Sequence, residues 1–337
     1  MGEENNGEEN HNKRCGKRGR RIHYYCVPCP FGTGGIKAGD KGQGNCYCKK
    51  DAVYTRLERT KPKISRNRNV GFFTYSIAGL YGVLVDAMYQ ECHANSYEME
   101  IFIIESGERM LQMLMGKRVD GAVILHSELK EEQEKFLHEM EFPLVYLDRE
   151  LKDQYASSVL FDSYESGRMA AEYLYSLGHR RILTVRGVDW TYDGEQRLKG
   201  FEDYMREKGC PVEKDYVVKG LFNQEVAYRE TKLFLQKSLP MPDAVFAAND
   251  DSAIGCINAL REAGYSVPDD VSIVGCDDIE LSKWFVPALT TIHTHINRQG
   301  SLAMKELVQL VKGEKSGEIH RIAGELIERG SCKAKVL

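Results

Sequence analysis

No stretch of this 337-residue sequence approaches the ~18 consecutive apolar residues that a membrane-spanning helix needs. The first thirty residues are polar and basic and hold no apolar core of a secretory signal. A cytoplasmic protein with no membrane partner is therefore expected. Neither half of the chain has a G-x-G-x-x-G turn after its first strand. No nucleophile–base pairing stands at the strand ends, which argues against a Rossmann-type enzyme. Cys92, Cys210, Cys256, Cys276 and Cys332 lack any pairing pattern, consistent with a reducing compartment. What is present is ordinary: 42% hydrophobic and 28% charged residues exclude a wholly disordered chain, and the length suits roughly two domains.

Charge is nearly balanced over the whole chain, at −4, but not along it. Met1–Lys63 carries 14 Lys and Arg against 7 Asp and Glu, a net +7, which leaves −11 for the remainder. Five of the ten cysteines and ten of the 31 glycines also fall before Lys63. The two stretches obey different compositional rules.

From Ile64 to Leu337 short apolar runs alternate with helix-length stretches, the pattern of a parallel sheet wrapped by helices. Predicted strands are Val70–Thr74, Met99–Ile104, Gly121–Leu125, Leu144–Leu147, Ser158–Phe161, Arg181–Arg186, Ala244–Ala247 and Ser272–Cys276. Predicted helices are Tyr81–Asn95, Glu108–Gly116, Glu131–Met140, Glu165–Leu177, Glu195–Lys208, Gln224–Gln236, Asp250–Ala263 and Asn297–Lys312. Gly178 and Gly264 follow helix ends as stop signals. The units form two successive βα sets, and ligands of such sheets bind beyond the strands' carboxyl ends. Those ends are polar: Asp148-Arg149 after Leu147, Asp162-Ser163 after Phe161, Asn249-Asp250 after Ala248 and Asp277-Asp278 after Cys276. Acceptors, an amide and a guanidinium fork together suit a polyhydroxylated ligand. Each Asx alone is also a turn former or helix cap, and Asp148-Arg149 a local ion pair. Recurrence at several strand ends is what favours a site.

Gly178-His179-Arg180-Arg181-Ile182, between a helix and a strand, resembles the GHRRI element of the LacI/GalR family of bacterial transcription regulators. Arg118–Ile124, Arg197-Leu198-Lys199-Gly200-Phe201, Ala248-Asn249-Asp250, Val267–Asp278 and Pro287–Ile292 resemble further family elements. They keep order and spacing from about Asn69 to Ser331. The resemblance implies an α/β, two-lobe periplasmic-binding-protein-like fold, each lobe a doubly wound parallel sheet with helices on both faces. A small effector would sit in the cleft between lobes 64–163 plus 293–322 and 164–292 plus 323–337. Chain crossings would lie near Asp162–Tyr164, Thr291–His295 and Arg321–Gly324. By match to the motifs, Arg149, Arg197, Asn249 and Asp277 are the effector-binding candidates, and a planar fork such as Arg197 can grip two hydroxyls or a carboxylate. Ser127, just past the Ile124-Leu125 strand, joins them, as do Phe222 and Trp284, whose rings can stack on a sugar. The sequence departs from the family where the first strand ends. In place of an Asn-Pro-aromatic loop stands Ser76-Ile77-Ala78-Gly79-Leu80-Tyr81, which makes Ser76 a candidate for that wall of the pocket. His179 reads as a helix-end histidine, and no catalytic residue or cofactor is expected.

Family members carry a helix-turn-helix and hinge helix where this chain has Met1–Lys63. The segment shows no 3.6-residue apolar period, and Gly32–Gly44 is too rich in glycine for a helix. Cys26-x-x-Cys29 and Cys46-x-Cys48 suggest zinc, but the second pair is too tight for a zinc knuckle, so no metal is expected. Gly32–Lys37 lacks the preceding strand and terminal Lys-Ser/Thr of a phosphate loop. A shifted reading frame fits better. Back-translated and read one base later, Ala38-Gly39-Asp40-Lys41-Gly42 permits Pro-Glu-Thr-Arg, an element of the family's DNA-binding domain. From Arg14 to about Gly32 the shifted frame permits DVASAAGVSITTVSRALS, a helix-turn-helix of the family. A frameshift restored near Lys61–Ser65 is the hypothesis, and an intact frame on resequencing the gene would remove it. As written, residues 1–63 are expected to be an aberrant, disordered segment.

The expected function is that of a ligand-responsive LacI-type transcription regulator, a repressor, binding a sugar or sugar derivative. Its expected partners are that effector and a second copy of itself as homodimer, with operator DNA only where an intact helix-turn-helix is present. The alternative is a solute-binding protein of a sugar transporter, which shares the two-lobe fold.

Overall fold

The computed structural model describes residues 68–104, 106–116, 118–125 and 129–335, all within a unit spanning Lys61–Leu337. Ser127, the cysteine pairs before Lys63 and the shifted-frame segment lie outside the described residues. The first series of elements is β1 (Asn69–Thr74), α1 (Tyr81–Ala94), β2 (Glu98–Ile103), α2 (Gly107–Met115), β3 (Ala122–Ile124), α3 (Glu131–Glu139), β4 (Leu144–Tyr146) and β5 (Ala156–Phe161). The second is α4 (Ser163–Ser176), β6 (Ile182–Arg186), α5 (Tyr192–Glu207), β7 (Val217–Lys219), α6 (Gln224–Leu235), β8 (Ala244–Ala247), α7 (Asp250–Glu262), β9 (Ser272–Val274) and α8 (Glu280–Trp284). The chain closes with β10 (Thr291–His293), α9 (Ile296–Lys312), β11 (Ile319–Ile322) and β12 (Glu325–Ile327).

Strands order as β11-β5-β4-β3-β1-β2 in one sheet and β7-β6-β8-β9 in a second, every neighbouring pair parallel. The antiparallel pair β10-β12 stands apart, Thr291 opposite Ile327. The chain thus leaves the first sheet after β5, builds the second, and returns through β10 and α9 to add β11 beside β5.

Period-two alternation explains why both faces of each sheet are covered. In the first sheet Val70, Phe72, Val123 and Val145 face α1 and α9. The intervening Phe73, Ala122, Ile124 and Tyr146 face the apolar side of α2 and α3. In the second, Leu183, Val185 and Val245 pack with α6 and α7, while Ile182, Ala244 and Phe246 pack with α4 and α5. Burying one such side chain contributes about 1.5–3 kcal/mol, so two sandwiched sheets amply hold both lobes. This is the expected α/β, two-lobe architecture. Gly178 and Gly264, at φ +89° and +88°, end α4 and α7 in a left-handed conformation that a side chain disfavours.

The α4–α5 pair is closer than ordinary helices. A Cβ on Gly167 would overlap the carbonyl oxygen of Arg197, and one on Gly200 that of Tyr164. Reciprocal glycines therefore let the two backbones touch and fix the height of α5 above the sheet.

Candidate functional site

Side chains from both sheets meet beyond the strands' carboxyl ends. Tyr75, just past β1, stands edge-on to Trp190, just before α5, with ring centroids 6.4 Å apart. Tyr81, opening α1, shares a hydrogen bond with Tyr75. Burial pushes the Tyr81 phenol well above its usual range, and the charges of Asp193 and Asp277 push it further. In the first lobe Tyr81 thus lies near two carboxylates of the second, while Tyr75 meets Trp190.

Arg197 is the centre of the group. It lies on α5, only 4% exposed. One Nη1–H donates to the Ala248 carbonyl, and the same nitrogen is 3.9 Å from Asp277 Oδ1. The guanidinium sits between the rings of Phe161 and Phe222, 5.8 and 6.0 Å from their centroids. Its buried Nε has no hydrogen-bond partner. A buried donor left unsatisfied costs about 1–3 kcal/mol. Burial works against the charge, but Asp277 and Asp193 outweigh it and hold the guanidinium protonated.

Asp277 follows β9 with φ +120°, and its N–H donates 2.8 Å to the Ile292 carbonyl of the β10 crossing strand. Asp278 is also left-handed, at φ +56°, as are Leu221 and Phe222 after β7, at +53° and +54°. Non-glycine residues held there cost of order 1–3 kcal/mol each and cluster where a side chain must be aimed. Burial drives the Asp277 carboxyl well above its ordinary range, against the pull of Arg197. Asn249 serves two ends. Its Oδ1 caps α7 by accepting from Ser252 N at 3.0 Å, and its Nδ2 donates 3.3 Å to the Phe222 carbonyl. The amide therefore fixes the Phe222 turn, and the bare Cα of Gly187 leaves room for the Phe222 ring.

Behind this layer the crossing strand is tied in. Asp250, fully buried, accepts from Ser282 Oγ at 2.6 Å, from Ile279 N at 3.0 Å and from Thr291 Oγ1. Burial raises its carboxyl to about 7. Asp278 pairs with Arg329 and, at 3.0 Å, with His293 Nδ1.

The structure gathers Arg197, Asp277, Asn249 and Phe222. Arg149 stands after β4 of the other sheet, its guanidinium pairing with Glu134 and Asp148 and 5.4 Å from the Tyr146 ring. Ser76 Oγ accepts from Ala78 N at 3.1 Å and so shapes the loop ahead of α1. Trp284 is 74% exposed at the end of α8, its indole N–H on Glu280 Oε1 at 3.1 Å, and is not brought into the group. Residues that sequence reasoning missed are Tyr75, Tyr81, Phe161, Trp190 and Asp193. Of these only Asp193 had a signal, standing one turn before Arg197 on the same helix face.

Among the described residues one set, Glu306, Glu318 and His320, brings potential metal-ligand atoms within 4.8 Å of one another. Lys315 Nζ lies 2.8 Å from Glu306 and 3.1 Å from Glu318, so a side-chain cation already serves these carboxylates. No helix among the described residues is long and apolar enough to cross a membrane.

Two parallel α/β sheets joined by crossing segments, with polar and aromatic side chains at their strand ends, define a two-lobe fold of the ligand-binding type. The chain belongs to the LacI/GalR family of transcription regulators and carries its ligand-responsive effector-binding core. Residues 171–332 match the family model described as a periplasmic binding protein-like domain. The HTH-type transcriptional repressor PurR of Pasteurella multocida (strain Pm70) is 31% identical over 283 residues, covering 81% of this chain and 84% of that protein. Its counterpart in Escherichia coli O1:K1 / APEC is 32% identical over 277 residues, 80% of this chain and 81% of that one. Among solved structures, the transcriptional regulator CelR in its cellobiose complex superposes with a TM-score of 0.73 at 26% identity, over 79% of this chain and 85% of that one. A LacI family transcriptional regulator from Enterococcus faecium with bound ribose gives 0.71 at 25% identity, over 80% of this chain and all of the other.

Proposed function

We propose that the chain senses a sugar or sugar derivative between lobes 64–163 plus 293–322 and 164–292 plus 323–337, as a non-enzymatic repressor. The observation that carries this reading is Arg197, a buried guanidinium with an open Nε between two aromatic rings and beside Asp277. One donor fork, one acceptor carboxylate and flat apolar walls match a ring bearing vicinal hydroxyls. The bound cellobiose and ribose of two structural relatives support the same ligand class. An effector that contacts both lobes shifts the balance between open and closed arrangements by its differential affinity for them, and no more.

Calorimetric titration against monosaccharides, disaccharides and nucleobases tests the ligand class. A sugar should bind, and Arg197→Lys should weaken it at least tenfold, because an ammonium cannot reproduce the fork. A nucleobase binding where all sugars fail would replace the sugar. Specific operator recognition belongs to a helix-turn-helix that residues 1–63 as written do not spell, so a gel shift with this polypeptide should show only weak, salt-sensitive DNA binding.

The chain acts as a homodimer in this reading. The stripes Tyr81–Met88 and Glu108–Met115 send Leu84, Met88, Met110, Leu111 and Leu114 into the core. What the same region leaves outside is Val83 and Tyr89 on α1 with Ile101 and Ile103 on the edge strand β2, 39–57% exposed. Alternation puts Ile101 and Ile103 on the face that Met99 shares with α1, so they extend one apolar surface.

A further inference from the structure

We propose that this cleft takes an effector without an anionic group and rejects the phosphate esters of the same compounds; the inference rests on the sugar reading above and deepens it. A parallel α/β sheet holds phosphate by two devices: helix N-termini with available N–H groups, and Arg or Lys side chains with charge to share. Among the described residues around the site, the chain's own carboxylates and caps occupy both, α1 apart.

Eight helices, α1 to α8, follow a strand of the two parallel sheets, and seven of them, α2 to α8, carry Asp or Glu in the first turn. Around the site the leading N–H groups are also capped by side chains. Asp162 accepts from Glu165 N, Thr191 from Gly194 N, Asn223 from Val226 N and Asn249 from Ser252 N. The exception is α1, whose first N–H groups turn back on the carbonyls of Ala78, Gly79 and Leu80.

An acid in the first turn is by itself an ordinary helix stabiliser. The cations decide the matter. Arg197 faces Asp277, and Arg149 faces Asp148 and Glu134. Arg186, ending β6, is 2.9 Å from Asp189, while Arg321 pairs with Glu150 and Arg329 with Asp278. Lys219 is exposed and ends β7, the edge strand farthest from β9 and Asp277. Asp193 adds a further carboxylate beside Arg197, held by Ser163 Oγ at 2.7 Å. A phosphate ester carries about −1.5 to −2 charges at neutral pH and would enter a cleft whose described guanidinium groups already face carboxylates, with Asp193 a further one. Neutral hydroxyls meet no such opposition, since Arg197 Nε can donate to them and Asp193 and Asp277 can accept from them.

The test is calorimetry on the full chain with matched pairs: glucose and glucose 6-phosphate, ribose and ribose 5-phosphate, fructose and fructose 1-phosphate. A parent sugar should bind and its ester should bind at least tenfold more weakly. Whatever affinity the ester retains should improve with added salt, because screening relieves repulsion. Asp193→Asn should narrow the gap between ester and parent several-fold, and the salt series gives the same information should that variant fold poorly. An ester that binds as tightly as its parent, or loses affinity as salt rises, overturns the inference and leaves the sugar reading standing. A panel in which neither parents nor esters bind, the disaccharides failing as well, overturns the sugar reading, and the inference with it.

Discussion

Gly167 of α4 lies against the main chain of Arg197 on α5, with no space between them for a methyl group. The residue with the most direct claim on the effector is thus positioned by a residue that has no side chain at all. Gly167→Ala must push α5 outward, and backbone cannot rotate away as a side chain could. Overpacking of this kind costs about 1–3 kcal/mol. Denaturant melts should show that loss, and calorimetry should show weaker sugar binding, since a displaced α5 carries Arg197, Asp193 and Trp190 with it. Unchanged stability would mean that the helices separate without resistance, and the positioning argument would fail.

A second outcome concerns the Arg197–Asp277 pair, 3.9 Å apart, with Arg197 buried and Asp277 half-buried. Removing one member of such a pair costs about 3–5 kcal/mol, because the other is left buried without its counter-charge. In Arg197→Ala the Asp277 carboxyl, already raised by burial, loses the group that restrains it. A carboxyl raised in the folded state releases its proton more readily on unfolding, so stability falls as pH rises above the ordinary carboxylate range. The variant should therefore lose more stability at pH 8 than at pH 5, and adding Asp277→Asn should remove that difference. Equal losses at both pH values would show that Asp277 stays solvated.

Much of this was readable from residue order. Strands such as β5 and β8, with four apolar residues each, announced themselves, and so did the polar strand ends that hold Asn249 and Asp277; Arg197, inside a helix, was legible only through the Arg197–Phe201 family element. β7, β10 and β12, three residues each, lack the longer apolar flanks that revealed the equally short β3, β4 and β9, and their apolar residues make sense only beside a partner strand. The same holds for the first wall of the cleft. Tyr75 and Tyr81 flank the loop that departs from the family element, and only folding brings them to Trp190 and Asp193. Trp284 shows the converse: an aromatic residue near Asp277 in sequence, carried outward by the short helix α8.

A third outcome follows from Asp250, whose carboxyl is raised by burial to about 7. An unfolded Asp titrates near 3.9. Between those values the folded chain holds a proton that the unfolded chain has released. Stability therefore falls as pH climbs from about 4 to about 7, by up to about 4 kcal/mol from this one group. Asp250→Asn keeps an acceptor for Ser282 and Ile279, turns an N–H donor toward the Thr291 hydroxyl, and cannot ionise. Its melting temperature should change less between pH 5 and pH 8 than that of the unsubstituted chain. Parallel profiles would place the origin of the slope elsewhere.

The last outcome concerns assembly. Ile103 is 57% exposed on β2, the edge strand of the six-stranded sheet, beside exposed Ile101, Val83 and Tyr89. An edge strand presents unpaired backbone groups, and apolar side chains there are a hazard unless another surface covers them. Glu98 and Glu100 sit toward the amino end of β2, so the apolar part is confined to its carboxyl half. Ile103→Asp puts a charge into that half without touching Arg197 or Asp277. Light scattering coupled to size exclusion should show the unsubstituted chain as a dimer and Ile103→Asp shifted toward monomer. The fold should be unaffected, because Ile103 contributes little to the core, and sugar binding should persist in the monomer. A dimer that survives the substitution with undiminished affinity would assign the contact to a different face and leave these four residues without a role in assembly.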